Sequence, residues 1–311
     1  MSHPRYTSNN YKALSVILTS LAPYIFLLIV SHQLSFISYW WVVALALPTH
    51  WLHARMFIVM HDCGHRSFIK NRMLNDIFGH LTSFFYYTPF LMWRELHNKH
   101  HAYQGNLDKR GISLDIWTMT LNEYQKAGVT KKFSYRFYRN PVVLLLLSPL
   151  ILFLGIFRIP FEKFSTQAIA NIFLLDLVLL YYIFFHWSTF GLFLKIQIPS
   201  LFLSFSMAAF LFYVQHQFKN TMWIKDEKFN NTLIALKGSS YFKLPPFLNW
   251  AYGNIGFHNT HHLDVKIPMY YLPRASQQIQ AQDMELTIRD SIYALNLKLW
   301  DESTQKLISF K

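Results

Sequence analysis

Three short stretches concentrate imidazole: HDCGH at 61–65, HNKHH at 97–101 and HNTHH at 258–262. With 15 histidines in 311 residues, about 0.03 copies of H-x-x-H-H would arise by chance. Two copies are therefore not background. A lone H-x-x-x-H is expected roughly once by chance, so HDCGH gains weight only from its company. On a helix, residues three and four apart share a face, so each stretch aims two or three imidazoles at one point. Neutral imidazole is a ligand for Zn, Cu, Fe and Ni. A catalytic zinc takes three protein ligands and a water. His61, His65, His97, His100, His101, His258, His261 and His262 are too many for one such ion. They suit two metals with about four ligands each, leaving positions for oxygen. The H-E-x-x-H of zinc proteases is absent, and so is the E-x-x-H of soluble di-iron bundles. A histidine-rich di-iron site is the reading that remains.

The elements that hold these residues belong in a membrane. Apolar residues make up 52% and aromatics 18%, while charged residues are only 14%, against about a quarter in soluble domains. No Lys, Arg, Asp or Glu occurs from Ala13 to Ala54, long enough for two crossings at about 20 residues each. Further charge-free runs cover Ile77–Trp93, Asn140–Phe157, Leu177–Leu194 and Ile196–Phe218. Buried helices of a soluble protein would need polar faces that these runs lack. The polar start MSHPRYTSNNYK, followed by a long apolar run without a small-residue cleavage pattern, reads as a retained first span. Cys63 is the one cysteine, so no internal disulfide forms. The net charge of +13 lies beside hydrophobic spans. It points to anionic headgroups and an acidic redox partner, not to nucleic acid.

Charge bias and parity give a topology. Nine Lys/Arg fall between Arg94 and Arg139 and eleven from Lys219 onward, which marks those regions as cytoplasmic. The expected spans are 13–31, 36–58, 168–186 and 199–213, two hairpins in a single domain over 1–311. For the three histidine stretches to meet, an even number of crossings must separate them. Residues 73–93 are too short for two crossings and are expected at the interface. So is 142–157, which Pro149 interrupts and Arg139 and Arg158 flank. The expected fold is therefore an all-α integral membrane protein of four transmembrane helices plus interfacial helices. A cytosolic helical cap of 94–139 and 219–311 holds the site, and the tail from Ser276 is read as helical.

Other polar residues are weighed by position. His216, in FYVQHQF, ends the last span on the cytoplasmic side, where a polar trio is either an interfacial anchor or part of a site; it is read as a ninth ligand. His50 and His53, one turn apart in the second span, are read as supporting partners of the site or satisfied core residues. Asp176, a carboxylate inside an apolar span, is expected to bind a bridging polar group or support a histidine by hydrogen bonding. His80 and His186 are read as structural, and His3 and His32 as solvent-facing.

The order H-x-x-x-H, H-x-x-H-H, H-x-x-H-H between hydrophobic hairpins resembles the membrane fatty acid desaturase and hydroxylase superfamily. MFIVMHDCGHRSF, WRELHNKHHAYQGNLDKRG, FYVQHQF and GNIGFHNTHHLDVKIPMYYLP are similar to bacterial acyl-lipid desaturases of the omega-6 (delta-12) type, over about residues 50–275. The resemblance implies iron ligation by the eight histidines of the three stretches, with His216 as the additional ligand. It implies two Fe2+, uptake of O2 and two electrons, and a cis double bond left in a membrane-lipid acyl chain. It also implies a bacterial inner-membrane location with the site on the cytoplasmic side. Retention of His258, where front-end desaturases commonly carry Gln, and the lack of an H-P-G-G motif favour a methyl-end or first-desaturation enzyme. The aromatics Tyr39, Trp40, Trp41, Phe84, Phe85 and Tyr86 are read as tunnel lining or interfacial anchors. With no G-x-G-x-x-G, electrons are expected from ferredoxin or a cytochrome b5-like carrier. The rival activities are a di-iron fatty acyl hydroxylase, acetylenase or carotenoid oxygenase, and more remotely a metal transporter.

Overall fold

The computed structural model describes residues 6–113, 115–279 and 284–310. His3 lies outside them. Four of its helices are long and apolar enough to cross a membrane: α1 (Asn10–Ser35), α2 (Tyr39–Gly64), α8 (Thr166–Phe185) and α9 (Trp187–His216). Each of the first three begins at a polar cap. Asn9 accepts from Lys12 N, Ser38 from Trp40 N and Ser165 from Ala168 N, satisfying amides that a helix start leaves without partners. Leu14, Leu18, Phe26 and Ile29 on α1, and Phe173, Leu177 and Phe184 on α8, are exposed. An outer surface of that kind is matched to lipid tails.

α2 and α9 run past the expected spans of 36–58 and 199–213. At 26 and 30 residues they extend about 39 and 45 Å, more than the roughly 30 Å hydrocarbon layer requires. Pro48 and Pro199 lie inside them, as membrane helices allow. Their overhanging ends carry His61 and His216.

The two hairpins frame the shorter elements. α3 (Arg72–Phe84) and α4 (Phe90–Tyr103) occupy the region read as interfacial, with a turn at Tyr87 (φ 52°) between them. After β1 (Met119–Thr120), α5 (Leu121–Lys126) and α6 (Val129–Tyr138), the chain bends by 64° into Val143–Arg158. That segment is a π-helical turn, then α7 (Ser148–Leu154), then a short 3-10 turn. Phe153 of α7 stacks on Phe205 of α9 at 4.2 Å. Beyond α9 follow α10 (Asn231–Lys237), β2 (Tyr241–Phe242), α11 (Pro246–Ala251), α12 (His258–Leu263) and α13 (Leu272–Gln278). The tail adds β3 (Glu285–Leu286), α14 (Ile288–Ala294), β4 (Leu299–Asp301) and β5 (Lys306–Ile308). The tail is thus less helical than expected. β4 pairs in parallel with β1 and antiparallel with β5, and β2 pairs with β3. Two- and three-residue strands leave no alternation for a sequence pattern to reveal.

Two contacts lock this layer. Arg139, fully buried, donates to Trp117 O (3.0 Å), Gln217 Oε1 (3.0 Å), Tyr213 OH (3.1 Å) and Leu297 O (2.8 Å). One guanidinium thereby joins the loop before β1, the end of α9 and the tail. Gly79 of α3 meets the ring of Phe90 so closely that a Cβ would lie 2.2–2.6 Å from three ring atoms. Gly79→Ala is therefore expected to cost about 1–3 kcal/mol by overpacking, read as a lower Tm in detergent, with part of the loss recovered when Phe90→Leu is added. An unchanged Tm would show that α3 and α4 are not held by this contact.

Candidate metal centre

All nine histidines read as ligands come together in two groups. His61, His65, His97, His101 and His261 form one; His100, His216, His258 and His262 form the other. Within each group the candidate ligand nitrogens lie within 4.8 Å of one another. Four helices deliver them. His61 and His65 end α2 one turn apart, α4 presents His97, His100 and His101, α9 ends in His216, and α12 presents His258, His261 and His262. Helical spacing also splits neighbours between groups: His101 and His261 turn one way, His100 and His262 the other. The rings of His101 and His262, 4.2 Å apart, join the two.

The nitrogens facing inward are Nε2. His97 and His101 approach to 3.1 Å, and so do His101 and His261. His216–His258 and His258–His262 stand at 3.0 Å and His100–His262 at 3.3 Å. Ring nitrogens bound to one metal at about 2.0–2.1 Å lie roughly 3.0–3.4 Å apart, so this spacing fits shared metal ligation. The buried Nε2 atoms of His61 and His65 have no hydrogen-bond partner. Orphaned buried acceptors of this kind call for an explanation, and a bound cation supplies one. The residues present therefore fit a metal in each group.

Three of the outer nitrogens are held by oxygen, while the buried Nδ1 atoms of His258 and His261 have no hydrogen-bond partner among the described residues. His61 Nδ1 lies 3.0 Å from Asp62 Oδ1, whose other oxygen accepts from Met269 N (2.6 Å). His100 Nδ1 lies 2.5 Å from Asp115 Oδ1, and Ser113 donates to the same carboxylate. His216 Nδ1 donates to Gly238 O (3.2 Å). Each contact places a proton on Nδ1 and leaves a lone pair on Nε2 of the kind a metal takes. Burial, then the neighbouring imidazoles, pushes His97, His101, His258, His261 and His262 well below the ordinary histidine range. They are neutral near pH 7, the form that binds metal. Burial alone would raise the Asp115 carboxyl, but His100 and Ser113 outweigh it and hold it below its usual value.

Three expected supporting residues stand elsewhere. Asp176 pairs with Arg158 at 3.0 Å and so serves α8 and the segment after α7, not a histidine. An intramembrane carboxylate needs a partner, and the arginine flanking the apolar run supplies it. His50 bonds Ser204 Oγ (3.0 Å) and Tyr252 OH (3.2 Å), while His53 Nε2 meets Phe85 O (3.1 Å) and Tyr24 OH (3.4 Å). Both sit at least two helical turns before His61 on α2 and belong to polar contacts between helices. The support comes instead from Asp62, Asp115 and Gly238. Asp62 was visible beside His61 in HDCGH. Asp115 carries no local signal, because only the folded loop after α4 brings it to His100. An open pocket of about 270 Å³ reaches His101 and His262 between Phe229, Ile234 and Val265.

Removing the outer partner of a ligating imidazole typically costs 10–100-fold in metal affinity. Asp115→Ala is expected to weaken metal retention by about that factor in chelator competition, while helix content and membrane insertion stay unchanged. Retention equal to the unsubstituted chain would remove Asp115 from the support of His100.

Comparison with known proteins agrees with this geometry. A family model described as fatty acid desaturase matches residues 9–290. A protein of Bacillus subtilis (strain 168) named "Fatty acid desaturase" is 36% identical over 282 residues, covering 88% of this chain and 79% of its own. An "sn-1 oleoyl-lipid 12-desaturase" of Picosynechococcus sp. is 27% identical over 284 residues, covering 88% and 78%. An "sn-1 acyl-lipid omega-3 desaturase (ferredoxin)" of Nostoc sp. is 28% identical over 243 residues, covering 72% and 63%. With nine tenths of its length matched and two buried groups of converging imidazoles, the chain belongs to the fatty acid desaturase family.

Proposed function

We propose that this integral membrane desaturase introduces a cis double bond into the acyl chain of a membrane lipid, with O2 as oxidant. The two histidine groups carry the reading, each holding one ferrous ion. The overall change is –CH2–CH2– + O2 + 2 e⁻ + 2 H⁺ giving –CH=CH– + 2 H2O. When bound, the iron pair supplies the oxygen activation that hydrogen removal from unactivated methylenes demands. The protein's share is geometric. His61, His65, His97, His101 and His261 hold one metal position, and His100, His216, His258 and His262 the other. Asp62 and Asp115 keep Nδ1 protonated on His61 and His100, fixing the rings. Trp93, stacked on His97 at 4.5 Å, and Phe57 against it keep the membrane side of the site dry.

The substrate class is supported by relatives named for lipid-bound acyl chains. A ferredoxin-type electron donor is supported by the name of the Nostoc relative and by a net charge of +13, which favours an acidic partner. The dense Lys/Arg on the histidine-bearing side supports a cytoplasmic site in a bacterial inner membrane.

Purified protein is expected to hold about two irons per chain, on the logic that nine imidazoles overfill one site. Stoichiometric zinc after iron-replete expression, with product formation unaffected by iron removal, would overturn the reading. A second test separates ligand from anchor at the end of α9. His216→Gln is expected to reduce desaturated lipid per inserted protein to background, because an amide binds iron far more weakly than imidazole. His186→Gln, at the exposed α8–α9 turn where the ring meets Tyr181 OH and neighbouring aromatics, is expected to keep most activity. Near-normal product from His216→Gln would leave an eight-histidine site.

A further inference from the structure

α6 carries a stripe that none of the described residues covers. Val129, Phe133 and Phe137 are 86%, 71% and 54% exposed, and at i, i+4 and i+8 they form one line along the helix. The opposite face is the one that packs: Tyr135 is fully buried, accepts from Met119 N (3.1 Å) and donates to Lys298 O. Lys131 is exposed on the remaining surface of the same helix, while Lys132 reaches Gln125 O (3.0 Å) and Arg136 donates to Tyr124 OH (2.5 Å) and lies over Phe310 at its border. A short helix with an apolar line facing away from its own protein, bordered by basic residues, has the pattern of a segment lying in a bilayer surface.

Parity decides against the alternative, in which α6 and the following segment together make a fifth crossing. α4 and α12 contribute histidines to the same two groups, so both stand on one side of the membrane. Between them α8 and α9 leave and return. Residues 129–158 must then begin and end on the histidine side. The bend of 64° after α6 fits a chain that lies flat and then dips. α7 carries the dip, with Phe153 stacked on Phe205 of α9 while Val142, Ile151 and Leu154 stay exposed to the outside.

We infer that α6 is an in-plane helix on the histidine side. Val129, Phe133 and Phe137 sit among the upper acyl carbons, and Lys131, Lys132 and Arg136 lie at the level of anionic phospholipid headgroups. The seat matters because α6 ends at Arg139. That guanidinium holds Trp117 O, two residues after Asp115, and Gln217, next to His216. The depth of α6 thus sets the depth of both histidine groups relative to the headgroups.

The test is site-directed spin labelling of the full chain in lipid nanodiscs, with single cysteines at positions 129, 131, 133, 134 and 137. Cys63 is buried and should take no label, which the unsubstituted chain checks. Labels at 129, 133 and 137 are expected to be relaxed by O2 more than by a soluble nickel chelate, at about 5–10 Å below the phosphates. Labels at 131 and 134 should show the reverse. Replacing phosphatidylcholine by a mixture with phosphatidylglycerol should draw the stripe deeper, and high salt should undo that shift. High nickel accessibility at all five positions would put the helix in water and overturn the proposal. Low accessibility to both reagents at 133 and 137 would mean a protein partner or a second copy there, and also overturn it. Labels near mid-bilayer depth would establish a crossing instead. Indifference to lipid charge would refute the role of the basic residues.

Discussion

Nine imidazoles are brought face to face with no carboxylate among the inward atoms of the described residues, and the helices that carry them are placed by that demand. Neutral rings tolerate burial far better than charged ones, but their lone pairs still need an electron-pair acceptor. The 3.0–3.3 Å spacings of the Nε2 atoms are supported where the chain fixes a ring from behind. Asp62, Asp115 and the Gly238 carbonyl do so for His61, His100 and His216. Crossing helices must also return in pairs, because ligands from α2, α4, α9 and α12 meet on one side.

A second, quieter constraint follows from the first. α2 and α9 overshoot the bilayer, so the polar groups of their last turns need partners outside it. Arg139 meets this need for α9, and its neighbour Lys298 donates to Arg139 O at 2.6 Å. Two buried cations lie close together here, with no carboxylate bonded to either among the described residues. Carbonyls, a tyrosine hydroxyl and an amide oxygen solvate them instead, which is the condition under which buried charge is tolerated. The arrangement joins α6, the loop before β1, the end of α9 and the tail into one rigid floor beneath the histidines.

Much of this could be read from residue order. The pairs and triplets of histidine announce their helices because i, i+3 and i+4 positions share a face, and charge-free runs announce the spans because lipid excludes Lys and Asp. His216 stood out by depth alone. What stayed hidden depends on folding of irregular chain. Asp115 lies in a loop without periodicity. The strands of the tail are two or three residues long and are specified by Trp300 and Leu299 packing in the interior, not by alternation. Asp176 misled because an isolated carboxylate in an apolar run looks functional, while its partner Arg158 sits 18 residues away in sequence. The spans read as 36–58 and 199–213 mark where apolarity stops, and the helices α2 and α9 run on past it.

The link between the first and last histidine stretches has a consequence for how the protein is made. Asp62 receives the amide of Met269, and Lys266 Nζ donates to His65 O at 2.5 Å. His61 and His65 are therefore buttressed by residues synthesised about two hundred positions later. During translation the first hairpin enters the membrane with its imidazoles uncovered, and the two groups are complete only once His261 and His262 have left the ribosome. Closure of the two histidine groups is thereby deferred to the end of synthesis. A chain cut before His261 keeps its four spans but not the closed histidine groups.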